Sequence, residues 1–127
     1  MSDAFQFDDG VTTSILNSQS AANTAAATTP SASWLDLSVY IGDVAVIMNP
    51  GALTGSLVGK LQVGDDNTGA NAVDIAGAVF ATAVAGTAQM ISLNSDGTAK
   101  RYLGFVGTIV TGPAVVSVTV IGHKKYN

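Results

Sequence analysis

The chain has no cysteine and no glutamate, and only 11% of its 127 residues are charged, against about a quarter in an ordinary globular domain. Without cysteine there are neither disulfides nor thiolate metal sites, and nothing about the redox compartment follows. The lack of glutamate, together with few lysines, removes residues that favour helix interiors. Five basic residues against nine aspartates give a net charge of −4, too few cations for an extended phosphate-binding stripe. The single histidine, His123, stands beside Lys124, Lys125 and Tyr126, and an imidazole there needs a rigid pocket and an orienting partner before it can act as a general base. A nucleophile elbow is absent, as is a glycine-rich loop ending in Gly-Lys-Ser/Thr. These absences argue against an enzyme and against a cofactor. The first ten residues lack the basic region and apolar core of a signal peptide. The one long uncharged run, from Leu103 to Gly122, has β-branched residues, alternation and an internal Pro113, which suit a strand pair better than a membrane helix.

Val, Thr, Ala, Gly and Ser dominate what is present, and fourteen glycines with many Asn and Asp residues supply turns. The clearest pattern is at the C-terminal end. Val116, Val118 and Val120 share one face of a strand and Ser117 and Thr119 the other, after an apolar stretch from Arg101 to Val110. The Thr111-Gly112-Pro113 segment reads as the turn of a hairpin between them. Upstream, Leu35, Leu37, Val39 and Ile41 alternate with Asp36, Ser38 and Tyr40, predicting a strand that ends at a Gly42-Asp43 turn. The apolar Val44–Met48 follows, then an Asn49-Pro50-Gly51 turn. Leu57, Gly59, Leu61 and Val63 predict a half-buried strand, and residues 64–71 a polar loop. One or two short strands are expected from Val73 to Val84, and another from Ala88 to Leu93, closed by Asn94–Gly97. Residues 1–33 read as a partly extended N-terminal arm, in which 17–33 can contribute a first strand, and 34–127 as the body. Seven or eight strands in one short domain predict an all-β antiparallel sandwich.

The densest group of oxygen ligands is Asp65 and Asp66 with Asn67 and Thr68. Its spacing matches no EF-hand, and a solvated turn is the simpler reading than a calcium site. Trp34 and Tyr40 share the more polar strand face with Asp36, which suits amphipathic aromatics at a protein interface, though packing in the core or under a loop fits them equally. Phe5 and Phe7, at a spacing of two, are candidate anchors on the body or on a partner. Arg101, next to Tyr102, is placed to tie a strand end to Asp96 or to reach a neighbouring subunit.

Several segments resemble small phage capsid cement, or decoration, proteins. They are Asn17-Ser-Gln through the Ala/Thr-rich stretch to Leu35-Asp36-Leu37, Lys60-Leu-Gln-Val-Gly-Asp-Asp66, Ala85-Gly-Thr87 and, most clearly, Lys100-Arg-Tyr-Leu-Gly-Phe-Val-Gly-Thr108 with the strand pair that it opens. The resemblance spans about residues 17–122. It implies a jelly-roll-like sandwich, made in the host cytoplasm, that sits on the outer surface of a phage head. There it would clamp major capsid subunits together as a homo-oligomer, dimer or trimer, with no direct nucleic-acid or membrane partner. Phe5, Phe7, Trp34, Tyr40, Arg101 and Tyr102 would serve as contact residues. A tail or tube structural protein is a close cousin of this reading. Two other classes are a carbohydrate- or receptor-binding sandwich, which needs grouped surface aromatics, and a small hydrolytic or isomerising barrel enzyme, which needs His123 beside an aspartate in a formed pocket.

Overall fold

A computed structural model describes residues 11–17, 26–29, 31–110 and 114–124. Among them nine strands run as β1 (Val11–Asn17), β2 (Ala26–Thr28), β3 (Leu35–Asp36), β4 (Tyr40–Leu53), β5 (Leu57–Gly64), β6 (Val73–Val79), β7 (Gln89–Asn94), β8 (Tyr102–Ile109) and β9 (Ala114–Lys124), with one 3-10 turn at Leu37–Val39. They form two antiparallel sheets, β1-β9-β4-β7 and β2-β8-β5-β6, and β3 extends the β2 position along β8. The pairs nest: β1 with β9, β2 and β3 with β8, β4 with β7, β5 with β6. A long antiparallel hairpin rolled over on itself produces this order, which is the double Greek key of a jelly roll. The expected all-β sandwich is the observed fold.

The hairpin expected between Arg101 and Gly122 is not formed as such. Both strands exist, but β8 belongs to one sheet and β9 to the other. Each carries a buried apolar face, with Leu103, Phe105 and Ile109 on β8 and Val116, Val118 and Val120 on β9. Placing the strands in opposite sheets lets both faces line one core, which a flat hairpin cannot do. The Thr111–Pro113 segment between them lies outside the described residues.

The strand expected over 34–41 is interrupted. After the two residues of β3, Asp36 accepts from the Ser38 amide at 2.9 Å and starts the 3-10 turn. Three residues per turn bring Leu37 and Tyr40 onto the same side, so both enter the core and Ile41 is left 53% exposed. The two turns expected at Gly42-Asp43 and Asn49-Pro50-Gly51 are absorbed into one fourteen-residue strand. At the first, the register against β9 slips between Ile41 and Ala45, with Gly42 at φ 71°, which makes a bulge rather than a reversal. At the second, β7 has already ended opposite Met48, so the amide that Pro50 lacks has no β7 strand to serve. The strand expected at Leu57–Val63 is found with its inward set, Leu57, Gly59, Leu61 and Val63, buried as the alternation requires. The body also reaches into the stretch expected to be an arm, since β1 pairs along β9 and β2 along β8.

Large rings are accommodated by glycines. Phe105 occupies the space in which a side chain on Gly59 would stand, and Tyr40 does the same over Gly122, 2.5 Å from where a Cβ would lie. Trp34 covers Gly104 and Gly69, each 2.5 Å from the position of an added Cβ. Thr29 locks this region to β8. Its hydroxyl accepts from the Phe105 amide at 2.8 Å, its own amide donates to the Phe105 carbonyl at 2.9 Å, and its carbonyl accepts from Trp34 Nε1 at 3.2 Å. On the far side, the buried Ser95 donates from its amide to the Gly42 carbonyl at 3.0 Å, clasping the end of β7 to the bulge in β4.

Two outcomes follow from this packing. Gly104→Ala should lower the unfolding free energy by about 1–3 kcal/mol, the usual cost of overpacking, read as a shifted denaturation midpoint with an unchanged slope. Thr29→Val, which keeps the shape but leaves the Phe105 amide without its buried acceptor, should cost about 1–3 kcal/mol in the same titration.

Candidate functional site

Several charged side chains meet where the 3-10 turn, the 65–72 loop after β5 and the 95–101 segment before β8 come together, around an open cleft of about 500 Å³. Its walls include Leu37, Ser38, Asp65, Asp96, Lys100 and Arg101. Arg101 makes a two-pronged contact with Asp36, donating from Nε to Oδ1 at 2.8 Å and from Nη2 to Oδ2 at 2.7 Å. The guanidinium also lies 5.3 Å from the Tyr102 ring centre. Arg101 therefore anchors a strand end as expected, but on Asp36 rather than Asp96. Asp36 is reachable because β3 pairs it with Tyr102, the neighbour of Arg101. The Asp36 carboxyl is held down at about 2, first by the Arg101 hydrogen bond and then, against some desolvation, by the hydrogen bonds from Ser38.

Asp65 and Asp66 take different partners. Asp65 accepts from Asn71 Nδ2 at 2.9 Å and pairs with Lys100 Nζ at 3.2 Å, and both contacts lower its carboxyl. Lys100 Nζ also donates to the Asn71 carbonyl at 2.6 Å, across a turn in which Asn71 has φ 52°. Asp66 turns back on its own loop, accepting from the Thr68 amide at 2.9 Å and from the Thr68 hydroxyl, and these hydrogen bonds lower its carboxyl. The two carboxylates thus brace a turn. Among the described residues no group of three or more His, Cys, Asp or Glu side chains is arranged to hold a metal ion. His123 is exposed on β9, opposite Ile41, and does not line the cleft.

The contact residues named from sequence are scattered. Trp34 and Tyr40 are not surface contacts: at 8% and 0% exposed they take the enclosed one of the two environments that fit them, under a loop for Trp34 and in the core for Tyr40. Tyr40 turns inward with the 3-10 turn. Trp34 sits on the outer side of β8 but beneath the 65–72 loop, where its amide donates to the Asn67 carbonyl at 3.2 Å. Arg101 is exposed at the cleft, and Tyr102, its neighbour on β8, is half-buried. Phe5 and Phe7 lie outside the described residues. Sequence reasoning missed Asp36, Thr29 and Lys100. Only Asp36 carried a local signal, an aspartate two residues before a serine at the start of a turn.

No protein-family model and no curated protein matches the chain. A solved structure described as that of the infectious bursal disease virus Gx strain aligns with a TM-score of 0.34 and 19% identity, covering 89% of this chain and 32% of the length of that one. No helix among the described residues is long and apolar enough to cross a membrane.

The Asp36–Arg101 pair sets a pH dependence. A carboxyl depressed below its ordinary 3.8 contributes stability above that value and loses it as pH falls through about 2. Asp36→Asn should therefore give a shallower loss of stability over this acid window than the wild type, seen in denaturant titrations at stepped pH. The remaining slope belongs to carboxyls such as Asp65, Asp66 and Asp74, which are also lowered.

Proposed function

We propose that this chain is a structural protein of a virus particle, a cement or decoration protein that binds the outer surface of a phage head and stabilises contacts between major capsid subunits. The observation that carries the reading is a jelly roll in which only 11% of the residues are charged, so that its outer surface is left largely to neutral side chains. Ile41, Val79, Val84, Met90 and Val110 are all more than half exposed. The fold by itself is also used by lectins and cupins, so it narrows the class without selecting within it.

The chemistry of the cleft supports an adhesive rather than a catalytic role. Asp36 and Asp65 are each matched to a cation of the same chain, and those contacts brace loops. A glycan-binding reading loses its aromatic platform, because Trp34 and Tyr40 are enclosed. Clamping needs only surface complementarity repeated many times. A modest interface at each copy, multiplied over a symmetric shell, adds up to a large resistance to separation of the capsid subunits.

The test adds the purified chain to phage heads that lack it and to isolated tails of the same phage. Saturable co-sedimentation with heads, protease access to the bound chain on intact particles, and a higher temperature of DNA release are expected. Binding to tails alone would move the protein to the tail or tube class, and binding to neither overturns the reading.

A further inference from the structure

Sheet edges are exposed backbone, and proteins protect them with charges, prolines, bulges or covering segments. At one side of this roll the terminal strands are β6 in one sheet and β7 in the other, joined by residues 80–88. No charged residue occurs between Asp74 and Asp96, so the connection and the whole of β7 are neutral, while β6 carries Asp74, paired with Lys60, near its start. Val79, Val84 and Met90 are 58%, 60% and 65% exposed there, while Phe80 and Ala83 of the same connection point into the core.

The two edges are not equally protected. Along β6 the register against β5 jumps from Asp74 opposite Gln62 to Val79 opposite Lys60, with Gly77 at φ 78°, a large bulge that spoils the edge for further pairing. Strand β7 is regular: Gln89 to Asn94 pair with Met48 to Asp43 without a shift, and among the described strands β4 is the sole partner of β7. The Gln89 side chain ties the connection to the strand start, its Oε1 accepting from the Ala81 amide at 2.8 Å and its Nε2 donating to the Ala81 carbonyl at 3.0 Å. The result is a straight, neutral, held edge with neither proline nor charge.

We propose that β7 is a self-association edge, pairing antiparallel with β7 of a second copy across a two-fold axis. A second copy is the occupant that the charge distribution favours. Two chains of net charge −4 repel each other, and the neutral β7 with its connection is where they can approach closely. The antiparallel sense follows from Asp96, just beyond one end of the strand. A two-fold axis puts the two Asp96 carboxylates at opposite ends of the seam, each facing the neutral Thr87-Ala88 end of the other copy, whereas parallel pairing would set them side by side. An antiparallel edge is also self-complementary, as a closed dimer interface must be. Val79, Val84 and Met90 then flank the seam and lose solvent.

The experiment uses the purified chain without phage heads, so its outcome is separate from that of the capsid reading. Light scattering after size exclusion across the micromolar range should give the mass of two chains. The Met90→Lys/Ser92→Lys double variant, which places lysines on the exposed face of the edge, should give the mass of one chain with an unchanged circular dichroism spectrum. Hydrogen exchange on the wild type gives a readout independent of any variant: the β7 amides facing away from β4 should exchange more slowly as protein concentration rises. A wild type that stays monomeric, a dimer whose mass the lysines leave unaltered, or β7 exchange that does not depend on concentration overturns the proposal.

Discussion

The packing of this protein, inside the sandwich and under one loop outside it, depends on rings set against glycines. Tyr40 against Gly122, Phe105 against Gly59 and Trp34 against Gly104 and Gly69 each place a large aromatic surface where the neighbouring backbone has no side chain. A sandwich core is only about 10 Å thick, and two facing layers of full-size side chains leave little room for a tyrosine or phenylalanine lying over an adjacent strand. Removing the Cβ beneath the ring solves this, and the ring in turn covers backbone that glycine would leave bare. The glycine content, which from composition alone suggests only turns, is therefore partly a packing requirement inside β5, β8 and β9.

The second constraint is the placement of very few charges. Among the described residues, Arg101 is committed to Asp36, Lys100 to Asp65 and Lys60 to Asp74. Two of these pairs join the loops at one end of the roll, where they hold the entry to β8 against β3 and the 65–72 turn. Such solvent-facing pairs contribute little to stability one by one, but they orient loops that have few apolar contacts of their own. Concentrating charge there leaves β7 and the 80–88 connection neutral, and that asymmetry links the packing of the domain to its proposed use as an assembling, adhesive unit.

The period-two pattern was readable wherever a strand is buried on one face and open on the other. Leu57 to Val63 and Val116 to Val120 show it cleanly, because solvent and core dictate alternate residues. The aspartate-serine start of the 3-10 turn was also present in the residues, but the alternation of Leu35, Leu37, Val39 and Ile41 concealed it. A three-residue turn and a strand differ there only in whether Tyr40 falls inside, and that depends on Gly122, far away in the chain, leaving room for the ring.

By itself, then, the sequence determined the all-β class, most of the strands and the inward faces of the regular ones, because these follow from local polarity and residue shape. Tertiary structure decided which strands share a sheet, since β8 and β9 separate only to line a common core. It decided that Trp34 and Tyr40 are enclosed, since each needs glycines distant in the chain, and that Arg101 meets Asp36 rather than Asp96, since strand pairing sets the distance. It also decided which neutral stretch lies at a sheet edge among the described strands, because an edge exists only once the other strands have found their neighbours.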